Sequence, residues 1–300
     1  MFKKGHNRFV ERLPRLGYIL LGSLWLFWGL SWPMMKMALG EIRPWTFRSL
    51  CLLLGSFGIF AIIKISRLRL SIPKNEIRPL IILALFNVTG WHLFSAYGLI
   101  YMKAGRAAIV AYTMPVWASI LATILLQEKF TYLRILGLAL GMLSLAILIG
   151  PNIHVMRKDP LGALFMIGAA ISWAVGTVLI KYFRFTLSTL NLTAWQSIIG
   201  TFPVIIGTLI IEPFPEISNL SWRALIATVY VIVLGNIYCY WAWIKVVQLF
   251  PAGLASTGSL AIPVIGVFSS GLILREPIGI QEISALIVMV FALSLVLFKH

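Results

Sequence analysis

Ten apolar stretches of membrane-spanning length run through the chain, joined by short connections that hold most of its charge. They lie near 17–36, 45–63, 79–101, 105–126, 133–150, 161–180, 188–211, 222–244, 253–274 and 281–298. A span takes about 20 mostly apolar residues, so ten of them use about 200 positions. The remainder of a 300-residue chain makes only tails and loops, which leaves no room for an added soluble domain. Hydrophobic residues make up 60% of the sequence and mean hydropathy is +0.95. No water-soluble fold could hide that much apolar surface. The expected fold class is an all-α membrane protein with ten transmembrane helices, because only helices or closed barrels satisfy their backbone polar groups in lipid.

Charge placement predicts the orientation. The segment before the first span carries Lys3, Lys4, Arg8, Arg12 and Arg15. Residues 1–16 read as a cytoplasmic tail, and the first span reads as retained, because no small-residue cleavage site follows it. With the N-terminus inside, sixteen Lys/Arg fall in inside segments and seven in outside segments. That bias predicts N-in, and an even number of spans then predicts C-in, in a cytoplasmic (inner or plasma) membrane. The net charge of +16 reads as cationic loops rather than a nucleic-acid surface. Cys51 and Cys239 both lie in apolar segments and form no disulfide framework.

The halves of the chain resemble each other. Trp28 and Lys36 match Trp173 and Lys181 at an offset of 145. Further on the offset is 148: residues 104–115, AGRAAIVAYTMP, lie against 252–263, AGLASTGSLAIP. At that offset Pro115 pairs with Pro263 and Glu128 with Glu276. Each half holds five spans, and an odd number forces the second half to enter from the opposite side. The expectation is a pair of inverted repeats with a site near the midplane between them, as in secondary transporters.

These residues also resemble a known family. Trp28-Gly29, Lys36 and Arg48 are similar to the opening motif of the EamA-like family of the drug/metabolite transporter superfamily. The Pro115 segment ending in Glu128, followed by Arg134-Ile-Leu-Gly137, is similar to the end of its five-helix repeat. Trp173, Lys181, Pro263 and Glu276 carry the second copy, which departs at Gln196, opposite Arg48, and at Pro277. The resemblance implies repeats over 17–150 and 161–298, a central cavity and alternating access, with amino acids or other small metabolites as cargo. Trp91, His92, Tyr112 and Trp173 also resemble cavity-lining positions of aromatic amino-acid exporters in this superfamily; Ser95 and Met114 depart from that pattern.

The residues themselves supply candidates for a substrate site. Asn87, Trp91, His92 and Ser95 share a sector of the third span, and Asn236, Tyr240 and Trp243 form a stripe on the eighth. The 148 offset sets His92 against Tyr240 and Ser95 against Trp243. Polar, aromatic faces suit a wet cavity better than lipid. Trp25, Trp28, Trp32 and Lys36 stack on one face of the first span, and Trp173, Thr177 and Lys181 on a matching face of the sixth. Tyr112 precedes Pro115; Pro115 and Pro263 remove backbone donors and are expected to break their helices.

Each candidate has a plainer role beside the functional one. Trp25, Trp45 and Trp222 read as interfacial belt residues. Trp28, Trp91 and Trp173 fit either a cavity wall or packing. His92 fits either an interhelical hydrogen bond or substrate contact and protonation. Lys36 and Lys181 read as snorkelling to the interface. Arg48 reads similarly, or as paired with a carbonyl or Glu41. Glu128 and Glu276 read as caps or braces of short loops, and Gly137-x-x-x-Gly141 as close helix packing.

Every Asp and Glu falls near a span end or in a loop, which argues for a facilitator or for coupling through His92. No HExxH, GxSxG or P-loop motif occurs, so an enzyme or an ATP-driven pump is disfavoured, and no cofactor or metal is expected. The reading is a secondary transporter of small neutral or zwitterionic metabolites, amino acids first. Efflux of cationic compounds is the alternative, since Trp faces attract cations, and a receptor or channel scaffold is a third. The expected partners are a small-molecule substrate and the lipid bilayer, with no nucleic acid. A monomer suffices, and a homodimer is compatible with the same sequence.

Overall fold

The computed structural model describes residues 15–102, 104–128, 132–149, 160–212, 220–275 and scattered positions from 278 to 291. The N-terminal tail, Glu276 and most of the tenth predicted span lie outside the described residues. The first nine predicted spans are helical: Arg15–Leu39, Pro44–Ile65, Lys74–Tyr101, a fourth in two pieces, Tyr132–Ile149, Pro160–Tyr182, Thr189–Ile211, Trp222–Leu249 and a ninth in two pieces. Among the described residues, seven helices are long and apolar enough to cross a membrane. No strand occurs among the described residues.

The two prolines sit where the fourth and ninth spans are interrupted. The fourth runs Ala104–Ala111, turns at Tyr112 and Thr113, and resumes as Met114–Leu126 with Pro115 in its first turn. The ninth runs Ala252–Gly258, turns, and resumes as Ala261–Leu274 around Pro263. Proline lacks the N–H that a continuous helix would need, so it is tolerated at such a restart and costly elsewhere. The third and eighth spans share a second irregularity. Leu85–Gly90 and Val231–Tyr238 are wound as π-helix, wider than the α-helix that a 3.6-residue period assumes.

Packing obeys a pseudo-two-fold axis. The first span packs on the eighth and ninth, the sixth on the third and fourth, and the second on the seventh. Exchanging the halves maps this set onto itself. Close approach is made by small residues, as helix pairs in lipid require. A Cβ on Gly200 of the seventh span would lie 2.5 Å from Val88 Cβ and 2.9 Å from the Ala84 carbonyl. Gly141 of the fifth span likewise meets Leu260, 2.6 Å from where its Cβ would be. Large apolar side chains such as Phe202, Leu209, Ile210 and Leu272 point outward, a surface suited to lipid.

Carboxylates fasten one half to the other at the span ends. Glu41, after the first span, accepts from Ser221 N at 2.8 Å and from Ser221 Oγ. Ser221 also caps the helix of the eighth span by accepting from Ala224 N. Glu76, opening the third span, accepts from Thr186 N at 2.9 Å and Thr186 Oγ1 at 2.6 Å, before the seventh. At the 145 offset these are one joint with acid and hydroxyl exchanged. Glu212 accepts from Trp45 N, Thr46 N and Thr46 Oγ1, so the seventh span caps the free donors at the start of the second. Glu128 accepts from Ala252 N at 3.0 Å, tying the end of the fourth span to the start of the ninth.

Two cations of the first half do not snorkel. Lys36 Nζ donates to the carbonyls of Leu99 at 2.7 Å and Met102 at 3.0 Å. It caps the C-terminal end of the third span, where a cation offsets the helix dipole. Arg48 is buried within the bundle and does not meet Glu41. Lys181 is half-buried, with the Glu128 carboxylate nearby. The belt assignment also changes for two tryptophans. Trp25 Nε1 donates to the Gly258 carbonyl at 2.8 Å, and Trp45 Nε1 donates to Tyr97 Oη. Trp222 is 77% exposed, as a belt residue would be.

Hydrogen bonds from the Ser221 hydroxyl and N–H hold the Glu41 carboxyl below its ordinary value of 4.5. A depressed carboxyl stabilises the fold above its unfolded value and loses that contribution as pH falls through the folded one. Wild type should therefore melt above Glu41→Gln by an interval that stays constant from neutral pH down to about 5 and shrinks as pH falls below 4.5. Melting followed by tryptophan fluorescence in micelles reads that interval; one that does not change with pH would refute the brace.

Candidate functional site

Where the halves meet, residues related by the repeat offsets touch each other. Trp28 and Trp173, related by 145, are edge-to-face with centroids 5.4 Å apart. His92 and Tyr240, related by 148, stack at 5.7 Å with their polar atoms, Nε2 and Oη, 2.8 Å apart. Each pair is one structural position seen from both halves, so it lies at the pseudo-axis. Trp91 joins the cluster through Trp173 at 5.0 Å, and Tyr240 through Trp28 at 6.1 Å and Trp173 at 5.4 Å. Aromatic pairs in these geometries are worth about 0.5–1.5 kcal/mol each beyond area burial.

This cluster walls a cavity of about 500 Å³, counting the space to its mouth. Seven of the ten predicted substrate-binding residues line it: Trp28, Trp91, His92, Tyr112, Trp173, Asn236 and Tyr240. Tyr112 reaches it because it occupies the break before Pro115, and Met114 follows from the next helix. The first span adds Ser31, Trp32 and Met35, the second Arg48, and the eighth Val231 and Gly235. Among the described residues, the lining carries a single full cation, Arg48, and no Asp or Glu.

Three predicted contacts are corrected. Asn87 is fully buried but outside the cavity, wedged against Gly176, whose added Cβ would lie 2.5 Å from Asn87 Nδ2. It falls in the π-wound segment, which rotates it off the stripe that an α-helical period assigns to it. Ser95 is fully buried and accepts from Arg48 Nη2 at 2.9 Å, so it holds a wall residue instead of lining the wall. Trp243 packs behind the cluster, 5.9 Å from Trp28 and 5.8 Å from Trp173. Arg48 is the correction in the other direction. It was expected at an interface, yet it is 1% exposed and part of the cavity wall. Its placement inside the predicted second span was the signal for it.

Several polar atoms in and around the cavity have no hydrogen-bond partner. They include Arg48 Nε, His92 Nδ1, Asn236 Nδ2 and Trp173 Nε1. Buried polar atoms are costly when unpaired, about 1–3 kcal/mol each. A set of them converging on one concave, aromatic space is what a ligand-binding pocket presents.

An inverted-repeat helical bundle with an aromatic, polar-tipped cavity between its halves is the architecture of a membrane transporter. The comparisons with known proteins agree. Residues 15–150 and 160–298 each match the EamA-like transporter family, and the chain belongs to that family, as a multi-pass membrane protein of ten helices in two inverted five-helix repeats. The uncharacterized transporter YoaV of Bacillus subtilis (strain 168) is 27% identical over 268 residues, covering 88% of this chain and 91% of its own. A protein of Escherichia coli (strain K12) named as a probable amino-acid metabolite efflux pump is 24% identical over 277 residues, 87% of this chain and 88% of its own. One solved crystal structure superposes with a TM-score of 0.80 at 16% identity, over 95% of this chain and 99% of the other, which attests the fold alone.

Removing the wall should stop transport without unfolding the bundle. Trp173→Ala and His92→Ala are each expected to lower the transport rate by roughly tenfold or more, the equivalent of about 1.4 kcal/mol. Both variants should elute from size exclusion as wild type does. Wild-type rates in both would remove this cavity from the transport path.

Proposed function

We propose that this transporter exports small metabolites with an apolar body, amino acids first, through the cavity between its two halves. The carrying observation is the aromatic cluster at the pseudo-axis, where Trp28, Trp173, His92 and Tyr240 come together from both repeats. A wall made of both halves changes shape when the halves rock, which alternating access needs. Indole and phenol faces would take the apolar part of the cargo. His92, Tyr112, Asn236 and Tyr240 would hydrogen-bond its polar part. The interruptions in the fourth and ninth spans, and the π-turns in the third and eighth, are natural hinges beside the cluster.

The relative named as an amino-acid metabolite efflux pump supports this cargo class. Cationic compounds fit less well, because the only full charge on the wall is the Arg48 guanidinium. Large dianions would want more cationic groups than that. With no acid on the wall, the reading is of a facilitator, or of coupling through His92 itself.

Counterflow in proteoliposomes with a mixed panel of neutral amino acids, read by mass spectrometry, tests the reading. A subset should exchange, and its steady level should not depend on an imposed pH gradient. A panel on which nothing moves would defeat the amino-acid assignment. Concentrative uptake that requires the gradient would instead make His92 a proton site.

The proposal places the protein in the cytoplasmic membrane with both termini inside, on the sixteen-to-seven bias of Lys and Arg. Alkaline phosphatase fused after His300 should then be inactive, and a fluorescent protein at the same point bright. The reverse pattern would invert the topology.

A further inference from the structure

The aromatic cluster explains how the cavity holds an apolar body, but it leaves Arg48 without a purpose. The side chain is 1% exposed, set in the second span between the cavity and the third. Nη2 donates to the Ser95 hydroxyl at 2.9 Å, Nη1 has only the Met35 thioether at 3.3 Å, and Nε has no partner. Among the described residues no acid balances it. The four described acids, Glu41, Glu76, Glu128 and Glu212, are all engaged at span ends. A guanidinium inside a membrane is normally paired with an anion or committed to function. This one keeps part of its donor fork unfilled on the wall of a cavity.

The repeat sharpens the point. The structure superposes the second and seventh spans at the 145 offset, where Gly55 meets Asn236 as Gly200 meets Val88, so the position matching Arg48 is Thr193 and not Gln196. Thr193 is fully buried, neutral and absent from the cavity lining. The scaffold does not need a cation at this position, since one half does without it. Its presence in only one half also means that the cavity has one anchor and not two.

We propose that Arg48 is the anion anchor of the transport cavity, and that the cargo is an organic monocarboxylate with an apolar or aromatic body. This deepens the transport reading above and rests on it. The carboxylate fills the donor fork that Ser95 and Met35 leave open, in the geometry that arginine offers to two oxygens at once. The body lies against Trp28, Trp91 and Trp173. Among the described residues no acidic group faces the cavity to receive an ammonium, so the amino group of an amino acid is not read. The carboxylate is the group that selects, and a deaminated acid serves as well as the amino acid.

Three solutes of one shape separate these demands: 3-phenylpropionate, phenylalanine and phenylalaninamide. Isothermal titration calorimetry on the full chain in nanodiscs measures their affinities. Phenylpropionate and phenylalanine should bind within about threefold of each other, and the amide at least about tenfold more weakly. Arg48→Gln should weaken the two acids by at least about tenfold and leave the amide unchanged. The wild-type comparison does not depend on the variant folding. Equal binding of amide and acids by wild type overturns the anchor, as does acid binding that survives Arg48→Gln. If wild type binds none of the three while counterflow moves other solutes, the anchor falls and the transport reading stands. If both experiments fail, both fall.

Discussion

A duplicated unit with an odd number of membrane crossings must place its second copy upside down, and much of this structure follows from that constraint. Two such copies are related by an axis lying in the membrane plane. Residues near the axis then face their own counterparts. Trp28 meets Trp173, and His92 meets Tyr240. The cavity needs no separate architecture, because the meeting surface of the repeats lies midway along the spans and neither half can close it alone. The same relation repeats the fastenings on both faces, where Glu41 with Ser221 and Glu76 with Thr186 exchange acid for hydroxyl. Each joint ties a connection within the first half to one within the second, so the halves are held in register at their rims.

The chemistry of the cavity lies in the departures from that symmetry. His92 and Tyr240 are equivalent positions with different proton chemistry. Arg48 and Thr193 are equivalent positions with different charge. A charged side chain buried inside a membrane bundle is costly. Such a cost in one repeat and not in the other points to work done at that position. The four acids whose surroundings are described all sit at span ends, where backbone donors and hydroxyls satisfy them. That arrangement leaves the cavity aromatic, polar at a few atoms and positive at one.

Much of the cavity was legible in sequence because the halves could be laid over each other. Trp28, Trp173, His92 and Tyr240 stood out as matched positions in apolar surroundings. Three neighbours were misplaced for physical reasons. Asn87 sits in a π-turn, so a constant 100° per residue points it the wrong way. Ser95 and Trp243 share a helical face with true wall residues, yet a second layer of packing lies between them and the cavity. Lys36 is near a span end and carries the pattern of a snorkelling lysine, but the open carbonyls of the third span lie within its reach. Whether a long cation turns to water or to a neighbouring helix depends on where that neighbour ends, which no local pattern records.

The sequence by itself determined the spans, their number and their duplication. Residence in lipid is set by composition over about twenty residues, and each helix satisfies its own backbone. Two prolines at one offset were enough to mark where the fourth and ninth spans break. Tertiary structure alone decided which face of each helix meets the cavity, where the backbone winds as π-helix, and which polar groups find partners. Those outcomes depend on contacts between helices distant in sequence. The 1% exposure of Arg48 is the sharpest case: its placement inside the second span could be read from the chain, but its place on the wall depended on helices from both repeats closing around it.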